Sequence, residues 1–141
     1  MMSLSEIVNR VIDLSGKVYD YYMAELPKRH PNYPLVNPGD EDTPPPPEEK
    51  ELKDFLESLP VDTIHQLILI GKLGRSEIRA DDLAETYEAL KSEFRDPEYA
   101  IFELTSRVPM SYGLMDGLEE LRRHKINVDK MPLKKVKLRK R

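Results

Sequence analysis

The most apolar stretch of the chain is Leu67-Ile68-Leu69-Ile70-Gly71-Lys72-Leu73-Gly74-Arg75. Ile64, Leu67, Ile68 and Leu73 recur at helical spacing, while Leu69 and Ile70 fill the rest of the circumference, so a helix here is apolar nearly all round and belongs inside a core. A buried strand would give the same short run, but the flanking chemistry favours the helix. Asp62 is placed to cap its start, and Leu59-Pro60 makes Leu59 extended just before it. Gly74 stands where a C-cap glycine would, with Lys72 and Arg75 near the terminal carbonyls, and His65 falls on the polar side.

The other apolar stripes are helical too. Ser3-Leu4-Ser5-Glu6 reads as a capping box opening a helix from about residue 4 to about 25, with Ile7, Val8, Val11, Ile12, Val18, Tyr19, Tyr22 and Met23 apolar, Gly16 in its interior and Pro27 stopping it. Leu52, Phe55, Leu56 and Leu59 predict a short helix over 48–59 that lies against the central one. Asp81 or Asp82 caps a helix burying Leu83, Tyr87, Leu90 and Phe94. Asp96-Pro97-Glu98 starts the next, with Tyr99, Phe102, Ile101 and Val108 inward and Pro109 ending it. Ser111 caps a last helix, running to about Lys125, with Leu114, Met115, Leu118 and Leu121 inward. The expected fold is all-α: a small bundle of five helices over 48–125 plus an N-terminal helix (1–26) joined to it by a linker (27–47), with a tail over 126–141. That first helix docks either on the bundle or on a partner.

Composition adds two things to this picture. Eight of the twelve prolines lie in residues 27–47, among them Pro44-Pro45-Pro46-Pro47, which predicts an extended, polyproline-like spacer or, as the functional alternative, a ligand for an aromatic-lined groove. Residues 122–141 carry ten Lys/Arg and one acid, Asp129, for +9, whereas the preceding 121 residues carry twelve Lys/Arg and twenty-five acids, for -13. Lys134, Lys135, Lys137, Arg139, Lys140 and Arg141 put six cations into eight residues, a run suited to a polyanion such as nucleic acid, or to the acidic body of its own or a neighbouring chain. With no cysteine, disulfides and thiolate chemistry are excluded. The longest apolar run is far short of a membrane span and the N-terminus has no signal-peptide pattern, so a cytoplasmic protein is expected.

From Leu59 to Leu121 the pattern Leu-Pro-x-Asp, the apolar run closing in Leu73-Gly74-Arg75, then Tyr87, then Tyr112-x-x-x-Asp116-Gly117-Leu118 resembles an uncharacterised bacterial domain-of-unknown-function family, number 3775. The resemblance covers less than half of the chain and implies a small helical domain, with no cofactor, substrate or catalytic residue to carry over.

Candidate chemistry is sparse. Arg75 beside Gly74 presents a planar fork to a carboxylate or phosphate, or else caps carbonyls or pairs with Asp116 or Glu77. His30, His65 and His124 lack a second ligand at metal spacing, and the carboxylate pairs Glu119-Glu120 and Asp81-Asp82 point to different sides of their helices. Ser111 has no nearby His, and Gly71-Lys72-Leu73-Gly74 lacks the spacing of a phosphate loop. Three functions follow as expectations: a non-enzymatic interaction module, binding a protein partner or forming a homodimer through its N-terminal helix; a polyanion binder through the tail; and a small enzyme with a pocket around Arg75, Tyr112 and Asp116, with Gly74 and Gly117 in the same motif.

Overall fold

A computed structural model describes residues 2–35, 37–39 and 42–131; six α-helices, two 3₁₀ turns and no strand occur among them. The helices are α1 (Leu4–Arg29), α2 (Pro47–Glu57), α3 (Val61–Gly74), α4 (Leu83–Glu93), α5 (Pro97–Thr105) and α6 (Met110–Arg123), with 3₁₀ turns at Ala80–Asp82 and Val128–Lys130. The fold is all-α. No helix of the described residues is long and apolar enough to cross a membrane.

α3 is the centre. Ile64, Leu67, Ile68, Leu69, Ile70 and Leu73 are all buried, each contributing roughly 1.5–3 kcal/mol by leaving water. It packs most extensively on α6, then on α5 and α4. α1 lies across α6 and α2, burying Ile7, Val8, Val11 and Leu14, so the first helix docks on the chain's own core. Across its start, the Ser5 amide donates to Asp129 Oδ1 at 2.8 Å. α2 packs on α1 and less on α5, not chiefly on α3 as its stripe suggested, because α6 and α5 already cover the faces of α3.

The local start signals with a complete chemical requirement behave as expected. Ser3 and Glu6 form the capping box, and Asp96 accepts from the Tyr99 amide at 3.0 Å ahead of Pro97. Others are corrected. α1 runs through Pro27 to Arg29: Lys28 and Arg29 pair with Glu25, and buried His30 sits 3.4 Å from Thr43 Oγ1, so contacts outside the backbone hold the last turn. The segment after it returns along α1, where Tyr21 donates to the Pro44 carbonyl at 2.7 Å and Tyr22 to Glu49 at 2.5 Å. Asp62 lies inside α3 and makes no cap; Pro60 occupies that position. Asp82 caps no α4 amide but accepts from Arg79 N one turn earlier.

Gly74 is not the left-handed cap of α3. The helix closes with the Ser76 amide on the Leu73 carbonyl and the Glu77 amide on the Lys72 carbonyl, and Ser76 takes the positive φ of 63°. Pro109 precedes α6 rather than ending α5, and Ser111 is buried inside α6 instead of capping it. In α5, Tyr99 and Phe102 are exposed, as is Val108 beyond it, while Ala100 and Leu104 face the core. His65 is 2% exposed, not on a wet face: its Nε2–H donates to the Phe94 carbonyl at 2.7 Å, tying α3 to the end of α4. Met115, expected inward, stands out of α6.

Candidate functional site: a glycine-packed helix crossing and the groove beside it

Of the residues in the family-like pattern, Gly74, Arg75 and Gly117 meet where α3 crosses α6, while Leu59, Pro60 and Asp62 lie at the start of α3 and Tyr87 on α4. A methyl group built on Gly74 would lie 2.0 Å from the Gly113 carbonyl oxygen, and one on Gly117 would lie 2.2 Å from the Ile70 carbonyl oxygen. Both obstacles are backbone, so the two helices touch main chain to main chain and only glycine fits at the contact. Gly113 and Gly117, four apart, share one stripe of α6, and Gly71 and Gly74 supply the matching stripe of α3. Arg75 lies across this seam: its Nη1 is 3.0 Å from a methyl built on Gly71 and 3.2 Å from one on Gly113.

The fork of Arg75 is engaged with Glu77. Arg75 Nε and Arg107 Nη1 both donate to Glu77 Oε2, at 2.8 and 2.9 Å, Lys72 Nζ lies 3.4 Å from Oε1, and Arg107 also reaches Glu103 at 3.1 Å. Of the two partners considered for Arg75, Glu77 is therefore the one it takes. Chiefly through the Arg75 hydrogen bond, and against the opposing effect of partial burial, the Glu77 carboxyl is held down to about 2. A depressed folded-state value gives stability that is complete above the unfolded value of 4.5 and is lost as pH falls towards 2. Because the side chain is 32% exposed, solvent screening leaves about 1 kcal/mol of it. Glu77→Gln is expected to unfold at lower urea than the wild type at pH 7, with the gap closing by pH 2; a gap unchanged over that range would show that the ion pairs contribute nothing.

Arg75, Tyr112 and Asp116 do line one depression, of about 400 Å³ and wide open to solvent, with Arg107 and Val108 on its rim. It continues past Tyr112 into a second groove between α1 and α6, about 330 Å³, lined by Asp13, Lys17, Tyr19, Asp20 and Met115. Tyr112 is the wall between them, its ring edge-on to Tyr19 at 5.8 Å. Val108, Tyr112 and Met115 are 72, 55 and 49% exposed. Asp13 pairs with Lys17 at 3.3 Å, whereas Asp20 and Asp116 form no ion pair among the described residues.

The remaining candidates are scattered. Glu119 and Glu120 pair with Arg122, Arg123 and His124 on the outer face of α6, and no group of three His, Asp or Glu at metal-binding distance occurs among the described residues. Lys134, Lys135, Lys137, Arg139, Lys140 and Arg141 lie outside the described residues. Sequence reasoning missed Arg107, and it placed Tyr19 and Met115 as apolar positions of their helices rather than as lining of a groove; Met115, at the edge of the apolar stripe of α6, is 49% exposed. Comparison of the chain with family models, with curated proteins and with solved structures found no match.

Proposed function

We propose that the chain is a non-enzymatic helical interaction module whose partner surface is the groove between α1 and α6, and that the partner presents a segment bearing both cations and apolar side chains. One observation supports this: Tyr112 and Met115 project from α6 at i and i+3, half exposed, next to the two carboxylates of Asp20 and Asp116 that have no ion-pair partner among the described residues. Tyrosine in such a position gives large contact area at low entropic cost, and it is enriched among the residues that dominate interface energies. The open carboxylates then favour Lys or Arg over acidic partners. A homodimer belongs to the same proposal with the groove as its contact, since Ile7, Val8, Val11 and Leu14 of α1 are already buried within the chain. Kinship with family 3775 stays part of the proposal, resting on the glycine-and-arginine pattern at the α3–α6 crossing.

The test is fluorescence anisotropy of a labelled ten-residue peptide alternating Lys with Val and Leu, titrated at low salt with the chain truncated after Met131. Binding with a dissociation constant on the order of 100 µM is expected, a modest value for a short flexible ligand. Tyr112→Asp with Met115→Asp should weaken it at least tenfold, and Leu35→Asp, an exposed change on the loop after α1, should not. Equal binding by all three proteins, or none by the unsubstituted one, would remove the reading.

A further inference from the structure

Resting on that reading, we infer that the groove's occupant is residues 132–141 of the same chain. The segment sets out from a fixed point next to α1. Met131 is buried, with its carbonyl accepting from Gln66 Nε2 at 2.8 Å, and two residues earlier Asp129 is bonded to the Ser5 amide in the first turn of α1. From Ser5, the helix carries one edge of the groove away along its length: Asp13 and Lys17, which pair with each other, come first, then the carboxylate of Asp20, which at 1.5 Å per residue is about 22 Å from Ser5. Ten extended residues span about 33 Å, enough to follow that edge to its end.

Chemistry matches as well as reach. Pro132-Leu133-Lys134-Lys135-Val136-Lys137-Leu138-Arg139-Lys140-Arg141 holds its two late apolar residues, Val136 and Leu138, two apart, so an extended backbone would put them on one side and Lys135, Lys137 and Arg139 on the other. Tyr112 and Met115 offer the apolar floor that the first set needs, and Asp20 and Asp116 offer the charges that the second set needs. The tether supplies what a contact of this size lacks in affinity, because a short connection holds the segment at an effective concentration in the millimolar range. The basic tail then shields the module's own groove, and a partner or a polyanion would compete with that closure.

The full-length chain, mixed equally from normal and nitrogen-15-labelled stock at low salt, is treated with a carbodiimide that joins touching carboxylates and amines, and the joined peptides are mapped by mass. Asp20 or Asp116 joined to Lys134, Lys135, Lys137 or Lys140 within one label type is the expected result, reduced several-fold in 0.5 M salt as screening shortens the reach of each charge. The Met115 methyl resonance should also differ between the full chain and the chain truncated after Met131. Mixed-label pairs at the random frequency, or no such pairs with an unmoved Met115 resonance, would overturn the inference. If the truncated chain still binds the Lys/Val/Leu peptide in that second case, the interaction module stands and only the tail's role falls. If it does not, both fall.

Discussion

Gly117→Ala is expected to cost about 3 kcal/mol or more and to leave α3 and α6 unable to seat. The added methyl would lie 2.2 Å from the Ile70 carbonyl oxygen and 2.6 Å from Ile70 Cγ2, and neither can yield without moving the buried middle of α3. Overpacking that a flexible side chain absorbs costs 1–3 kcal/mol; here the obstacle is main chain, which puts the change at the top of that range or beyond. Gly74→Ala meets the same difficulty against the Gly113 carbonyl. The informative comparison is Gly16→Ala in α1, where the nearest atom to the new methyl is Ser111 Oγ at 3.9 Å, and where alanine's helix preference should make the change neutral or stabilising by up to about 1 kcal/mol. Urea unfolding followed by circular dichroism separates the two: a Gly117→Ala midpoint within error of the Gly16→Ala midpoint would mean that the helices do not touch backbone to backbone.

His65→Ala should cost about 3 kcal/mol. Two effects add: the ring leaves a cavity in a core site that is 2% exposed, and the Phe94 carbonyl loses the Nε2–H that satisfies it. Because that carbonyl closes α4, the loss should be felt there, as faster amide exchange in the last turn of α4 than in α6. Met115→Ala, a change of similar chemical size on the exposed side of α6, should stay within about 0.5 kcal/mol. Comparable losses for both would contradict the burial of the histidine.

How much of this was legible in the sequence depends on how far each cause reaches along the chain. The Ser3–Glu6 box and the Asp96-Pro97 start lie within three residues of their effects, and the all-round apolar run of α3 needs no partner to be read. His65 was misplaced because a single acceptor twenty-nine residues away is enough to bury it, and nothing near it in sequence announces that acceptor. Tyr99 and Phe102 were read inward because size suggests burial, yet close approach of α5 to α3 selects small Ala100 and leaves the rings outside. Glycine misled in the same way. Gly74 was read as a helix end and Gly117 only as part of a motif, whereas the role of both is contact with another main chain, a purpose that becomes visible only when α3 and α6 are set side by side. For the candidate site, Arg75, Tyr112 and Asp116 were legible as a group, but the wall of Tyr19 and Met115 depends on where α1 docks, which the proline-rich spacer left open.

The docking of α1 also sets a timetable for synthesis. Ile7, Val8, Val11 and Leu14 leave the ribosome ahead of the helices that cover them; α2 arrives soon enough to shelter part of them, but α6 begins only at Met110. At translation speeds of 5–20 residues per second, the stripe waits roughly 5–20 s for its second cover. During that interval the nascent chain shows part of the apolar stripe of α1 while its centre, α3, still lacks the glycine-lined helix it must close upon. Substitutions that enlarge the stripe would therefore tax chaperones before they affected the finished protein.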